Sequence, residues 1–419
     1  MQGDNMESPE NKEQQDSLSN HRFVIEIIIF VTYATFGMTW AACGSFLKEI
    51  MKDLHLSLSQ ASFISTSVSF AKIFGPALAG FLSAMLGLRW AFMVASVLIC
   101  LGIFAPLSPS FTLLLLARFA MGMGGAMVVV YFTPLVMKWF PPRERLAVNG
   151  INFVAINTGM MVGLFITAPL MAAMANSWRN TLVLYSCASI VMALLWLIFG
   201  RDRGDGAAAA GGGKSSGGGT LIDAAKNATT WKLAFTYIGA LSLYLALFTY
   251  FPTFYREVFG YDKDSFIMKA PAIAMSMGIP AALIGIYLAR KTGLRIPFLR
   301  YSGILLVPAT AGMFVVNNPA LIITSSVLTG FALFLWASPF FTIPQELPEA
   351  TAQSAGNMMS LFWSICYIAA TFNVWFVGRL SEMTGSMTSG FLYVTALSLT
   401  VLIGSFLIPE TGTGTKSAQ

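Results

Sequence analysis

The chain has 419 residues, of which 56% are hydrophobic and only 11% charged, and its mean hydropathy is +0.70. A soluble domain carries roughly 25% charged residues, so too few charges are present for a solvated surface and most of the exterior must face lipid. The net charge of +6 does not call for a nucleic-acid partner, because the basic residues gather at the ends of apolar runs, as membrane topology demands.

Residues 1–22 are polar, rich in Glu, Gln and Asn, and lack the basic start and short apolar core of a cleaved leader. A disordered tail is expected there. Crossing a bilayer takes roughly 20 apolar residues. Runs of that kind fall near 23–47, 60–83, 90–107, 111–136, 147–174 and 180–199, then near 232–253, 269–289, 299–316, 319–342, 355–377 and 391–408. The expected fold class is therefore an all-α polytopic membrane protein with twelve transmembrane helices, six within 23–199 and six within 232–408. Residues 200–231 divide the halves, and their Gly-, Ala- and Ser-rich stretch 204–219 has the composition of a flexible linker. A second polar tail covers 409–419.

Twelve crossings place Lys12, Arg22, Arg89, Lys138, Arg143, Arg145, Arg201, Arg203, Lys214, Lys226, Lys232, Arg290, Lys291, Arg295, Arg300 and Lys416 on one side of the membrane. The other side receives fewer basic residues, Lys48, Lys52, Arg179, Arg256, Lys263, Lys269 and Arg379. The basic side is the cytoplasmic one, so both termini are expected to be cytoplasmic in a multi-pass protein of the cell membrane, most simply a bacterial inner membrane.

Cys43, Cys100, Cys187 and Cys366 all lie in apolar runs, where reduced packing residues are expected in place of a disulfide framework. His21 and His55 are the two histidines, and no Cys/His cluster has metal-ligand spacing. No metal and no cofactor are expected. A nucleophile with a histidine base, paired mid-membrane carboxylates and a phosphate-binding loop are all missing, which argues against an enzyme.

Two basic residues fall inside the runs. Lys72 stands near the middle of the second, too deep for its stem to reach either interface, and a lysine at the bilayer centre costs at least about 2.5–3.5 kcal/mol. It must face a wet cavity, a bound anion, or the backbone carbonyls and serines of a neighbouring helix. Ser62, Ser65, Ser69, Lys72 and Pro76 follow steps of three and four, one polar stripe on one face. Arg118, in the fourth run, suits either a structural and coupling role or bidentate contact with an anion. No Asp or Glu occupies the middle of a run; Glu26 comes nearest, in the first turn of the first run, within reach of the cytoplasmic interface. Two intramembrane cations without a matching acid point to an anionic substrate.

The second half carries no mid-membrane charge, and its candidate contacts are neutral. Asn357, Ser360, Ser364, Tyr367 and Thr371 form a stripe on the eleventh run beside Trp363, while Tyr237 and Tyr244 lie one heptad apart on the seventh and Trp336 on the tenth. Tyr33 and Trp40 in the first run, and Asn152 and Asn157 in the fifth, complete the candidate contacts. Each of these aromatic or amide groups can equally serve interhelical packing.

Two six-helix halves joined by a long loop resemble the major facilitator superfamily, and local motifs carry the likeness. That family has Gly-x-x-x-Asp-Arg-x-Gly-Arg-Arg between its second and third helices. Gly80, Gly87 and Arg89 match it, with Ala84 and Met85 in place of the Asp-Arg pair. At the second copy, between helices 8 and 9, Gly285 and Arg290 match, and Gly293 and Arg295 follow with a one-residue offset. Arg118, Gly122 and Gly124 reproduce the family's helix-4 Arg-x-x-x-Gly-x-Gly. Gly150, Gly159 and Gly163 fit a glycine series of exporters on helix 5, with Leu164, Thr167 and Ala168 where its Pro and final glycines belong.

The resemblance implies two bundles related by a pseudo-two-fold axis and rocking about one midplane site, in a monomer, with Gly80, Gly87, Arg89, Gly285, Arg290 and Arg118 as gating and coupling residues. Ala84 removes the acid of the first latch. The alternation of Gly, Asn and basic residues is similar to that of cyanate- and nitrate-porter branches, although Met275, Ser276 and Met277 stand where nitrate porters carry a basic residue. Together these features lead to an expectation: a secondary carrier of a small organic or inorganic anion, by proton symport or exchange, in which the bound anion recruits a proton onto Lys72. Two alternatives remain open, a proton-antiport exporter of drugs or metabolites and a non-transporting membrane sensor.

Overall fold

The structure is a computed structural model that describes residues 9–56, 58–201, 220–262 and 265–415. Among these residues there is no strand. The membrane-crossing helices are α1 Pro9–Ser45, α2 58–86, α3 88–107, α4 Phe111–Trp139, α5 Pro142–Ala173 and α6 Trp178–Phe199. The second half contributes α7 Ala228–Glu257, α8 Phe266–Thr292, α9 Ile296–Ala311, α10 Pro319–Glu346, α11 Ala352–Thr384 and α12 Met387–Leu407. Helices α2 and α3 are continuous except at Gly87, whose φ of 75° and ψ of 163° turn the chain back. A side chain there would be strained, which explains a glycine at the turn. Phe81, Phe165, Leu194, Phe372, Trp375 and Phe406 are exposed on the outside, as lipid-facing helices require.

In the first half α1 packs on α5 and α6, and α2 and α3 on α4; in the second, α7 packs on α11 and α12, and α9 on α10 and α12. Between the halves α11 packs against α2 and α4, while α5 packs against α8 and α10. Exchanging the halves maps one set of contacts onto the other, the pseudo-two-fold relation expected. Four of the hydrogen bonds that cross between the halves lie toward the end carrying the start of α1 and the end of α12. Ser338 donates to the Leu146 carbonyl at 2.5 Å, Asn149 to Thr342 at 3.2 Å, Gln345 to Asn149 at 3.0 Å, and Ser360 to the Pro76 carbonyl.

Two boundaries differ from expectation. Helix α1 begins at Pro9, so 9–22 is not a disordered tail; Glu, Gln, Lys and Leu are good helix formers, and proline suits a first turn. Residues 1–8, 202–219 and 416–419 lie outside the described residues. Within the expected linker, Leu221–Lys226 forms a short helix against α11, started by a capping box of Thr220 and Asp223. The Thr220 backbone N–H and hydroxyl hold the exposed Asp223 carboxyl below the usual carboxylate range.

Helices α1 and α5 meet where Gly159 faces the Ala34 carbonyl, so closely that a Cβ at 159 would overlap it. This contact sets the spacing of Tyr33 and Asn157 across the site described below. Gly159→Val is expected to destabilise the protein by at least about 1–3 kcal/mol through overpacking, read as a lower Tm in detergent. Gly44→Ala, at a position where nothing lies within 4 Å of the added Cβ, is the control that leaves Tm unlowered.

Candidate functional site

A cavity of about 70 Å3 lies between the halves. Its walls are Tyr33 and Trp40 of α1, Lys72 of α2, Val129 and Phe132 of α4, and Phe153, Ile156 and Asn157 of α5. The other half supplies Tyr237, Leu241 and Tyr244 of α7, Leu333 and Phe334 of α10, and Trp363 and Tyr367 of α11. Heptad spacing brings Tyr33 with Trp40, and Tyr237 with Tyr244, to one face of their helices. A smaller chamber of about 20 Å3 shares Val129, Phe132, Phe153 and Trp363 with the cavity and reaches Asn149, one of the residues bonded across the halves.

Lys72 sits midway along α2, roughly 20 Å from either end at 1.5 Å per residue, and is 5% exposed. Its Nζ lies 3.8 Å from the centroid of the Trp40 ring, 5.6 Å from that of Phe36 and 5.4 Å from that of Tyr367. Two rings come from α1 and the third from the opposite half. No carboxylate of the described residues is within ion-pair distance. Cation–π contacts reach about 2 kcal/mol when desolvated, less than the several kcal/mol that burying an ion costs. Lys72 is thus only partly compensated, and it faces an open space.

Arg118 solves the same problem differently. It is 1% exposed, and its guanidinium donates to the carbonyls of Thr39 at 3.1 Å, Trp40 at 3.3 Å and Ile64 at 3.5 Å. Its donors are turned into the first half and it does not line the cavity, so the expected anion contact is not what this geometry offers. By gripping the consecutive carbonyls of Thr39 and Trp40, it fixes the helix that holds Trp40 over Lys72.

The remaining expected contacts divide. Tyr33, Trp40, Lys72, Asn157, Tyr237, Tyr244, Trp363 and Tyr367 are brought together at the cavity; Ser69, Asn152, Trp336 and Asn357 are not. Asn152 is fully buried and donates to Glu26 at 3.4 Å. Asn357 accepts from Gln353 at 3.2 Å. Trp336 is buried behind Tyr237, 5.8 Å between ring centroids, within a cluster that includes Phe340, Phe341 and Phe362. Glu26, expected at the interface, is buried at 8% exposure because α1 continues past it. Across the cavity the Tyr244 hydroxyl donates to Asn157 Oδ1 at 3.0 Å. The apolar wall of Phe132, Phe153, Ile156, Leu333 and Phe334 carries no signal in an apolar sequence and escaped the sequence reading.

At the expected latches, Gly80 lies against Ser360 of α11, and Arg89 donates to the Leu197 carbonyl at 3.3 Å. Gly285 packs its Cα side on the Leu335 carbonyl. The side chain of Arg290 is exposed; Arg295 takes the inward place instead. It pairs with Glu346 at 2.7 Å, and the backbone N–H groups of Arg295 and Ile296 donate to the Glu410 carboxylate at 2.8 and 2.9 Å. Glu346 and Glu410 were readable only as ordinary helix-end acids.

The contrast between the two cations is testable. Lys72→Met removes a partly compensated charge and is expected to keep or raise Tm, whereas Arg118→Met, which loses three charge-assisted bonds, costs about 3 kcal/mol and lowers Tm. Equal losses in both variants would contradict this reading of Lys72.

Residues 29–371 match the family profile described as Major Facilitator Superfamily. The chain is 27% identical to the nitrite extrusion protein of Bacillus subtilis over 86% of this chain and 88% of that protein. It is 24% identical to the hexuronate transporter of the same organism over 84% and 86%. The solved structure of the proton:xylose symporter XylE bound to 6-bromo-6-deoxy-D-glucose superposes with a TM-score of 0.75 at 15% identity, over 94% of this chain and 97% of that one. With the profile covering most of the chain and the twelve-helix fold shared, the protein belongs to the Major Facilitator Superfamily and is a membrane transporter, not an enzyme.

Proposed function

We propose that the protein is a proton-coupled carrier of a small monovalent anion, with the cavity between its halves as the binding site. The observation that carries this reading is Lys72: one ammonium, buried, without a carboxylate among the described residues, and lining the cavity. One positive charge that ring faces compensate only in part calls for one negative charge in the solute. Relatives named for nitrite and for hexuronate agree on a monovalent anion and differ in its body.

The walls favour the organic choice. The aromatic lining of Trp40, Trp363 and Phe334 suits the C–H surfaces of a sugar ring, and Tyr33, Tyr237 and Tyr367 in the same lining carry hydroxyls that can pair with those of a sugar. A sugar acid would place its carboxylate at Lys72 and its hydroxyls toward α7 and α11. Proton movement with the anion keeps the charge transferred near zero and lets a pH gradient drive accumulation. The basic ends of the helices support a cytoplasmic side for both termini, and the family's alternating access has the halves rocking about the site.

In proteoliposomes with an inward pH gradient, wild-type protein is expected to take up galacturonate in preference to nitrate or nitrite. Lys72→Met is expected to weaken binding by about 2–5 kcal/mol, roughly 30-fold or more, and Lys72→Arg to retain part of the uptake. Preference for nitrate or nitrite would make the cargo inorganic. Unchanged uptake by Lys72→Met would end the proposal.

A further inference from the structure

Glu26 and Asn152 form a second polar site in the membrane, away from the cavity. Glu26 lies one heptad before Tyr33 on α1, hence on the same face and about 10 Å nearer the end that carries the termini. It is 8% exposed and Asn152 is 0% exposed. One hydrogen bond joins them, Asn152 Nδ2 to Glu26 Oε2 at 3.4 Å. The other two oxygens of the pair, Glu26 Oε1 and Asn152 Oδ1, are both buried without a partner.

The inventory of donors decides what is missing. Both orphaned atoms are acceptors, and Asn152 has no donor that can satisfy its own carbonyl oxygen. A single proton on Glu26 Oε1 gives that oxygen an O–H that can donate to Asn152 Oδ1. The pair would then be a carboxylic acid facing an amide, each donating once and accepting once. Without that proton a carboxylate would be buried beside a neutral amide, with its charge uncompensated by any solvent or cation bonded to it.

The surrounding charges are committed elsewhere. On α1, Arg22 pairs with Glu144 of α5 at 3.1 Å and His21 bonds the Phe199 carbonyl of α6. On α5, Arg145 donates to the carbonyls of Phe140 and Met137, and Arg143 is exposed. From α4, the Tyr131 hydroxyl donates to the Ala79 carbonyl, and Lys138 stands in the last turn. From α2 and α3, Lys72 faces the rings around it and Arg89 donates to the Leu197 carbonyl of α6. Arg22 is placed to respond, because it is one turn from Glu26 and its Nε is buried without a partner.

We propose that Glu26, paired with Asn152, is the proton-binding site of the carrier, and that Arg22 moves from Glu144 to Glu26 when the proton leaves. Binding forms one O–H bond on Glu26; release returns the electron pair to the carboxylate, whose charge Arg22 then meets. This locates the coupled proton on α1 and leaves Lys72 to hold the anion, in place of a lysine that serves both.

The inference rests on the proton-coupled reading above, and its test separates the two. Galacturonate exchange at equal pH and galacturonate accumulation under a one-unit pH gradient are measured in proteoliposomes of wild type and Glu26→Gln. A one-unit gradient supports about tenfold accumulation for one proton per monoanion. Glu26→Gln is expected to keep exchange while accumulation falls from about tenfold to near unity. Retained accumulation, or loss of exchange in a folded variant, overturns the proposal. Infrared difference spectra across pH supply a readout independent of cargo. The C=O stretch of a protonated carboxylic acid is expected in wild type and absent in Glu26→Gln; its presence in both overturns the proposal. If Glu26→Gln does not fold, Asn152→Ser replaces it: a shifted acid band supports the pair, and an unmoved band refutes it. Absence of exchange by wild type with galacturonate, nitrate and nitrite sinks the carrier reading alone, and the infrared band still decides Glu26.

Discussion

An ammonium group at the middle of a bilayer has no bulk water to lean on, and the architecture around Lys72 is arranged by that constraint. Three ring faces, two from α1 and one from α11, surround it. They attract the charge without cancelling it, as a carboxylate would. The close packing of α1 on α5 at Gly159 and the grip of Arg118 on the Thr39 and Trp40 carbonyls keep those rings in position. A charge left partly unsatisfied is a standing demand for a counter-charge, and the cavity gives a solute access to it.

The same requirement shows how far the sequence could be read. Lys72 stood out because a mid-membrane lysine is costly wherever it points, and its cost does not depend on knowing its neighbours. Heptad spacing was enough to pair Tyr33 with Trp40 and Tyr237 with Tyr244. Arg118 was legible as buried but not as turned inward, because its partners are backbone carbonyls, which every residue has. The apolar wall was hidden for the opposite reason: Phe153 and Phe334 look like any other lipid-soluble side chain until the halves are assembled. Glu26 was misread because the first apolar run begins near residue 23, whereas the helix begins at Pro9. Hydrophobicity marks where a helix enters lipid, not where it starts.

The two latches at the ends of the helices show related frames solving one task with different chemistry. In the second half Arg295 is tied to Glu346, and Glu410 caps the start of α9 through its backbone N–H groups. In the first half Ala84 stands where an acid belongs in the family, and Arg89 and Arg145 settle on carbonyls. Neutral hydrogen bonds between the halves, from Ser338, Asn149, Gln345 and Ser360, close that end. Neutral bonds are individually weak, about 0.5–1.5 kcal/mol net, so a few can break together within one rocking movement.

The hydrogen bond from Tyr244 to Asn157 spans the cavity from one half to the other. While it stands, the waist of the carrier is stapled at a fixed width. A solute that enters has to take over one of the two partners or push the walls apart against them. Like the other neutral bonds between the halves, it contributes about 0.5–1.5 kcal/mol, so it biases the empty waist toward one width, and a solute that replaces one partner offsets that bias at little cost.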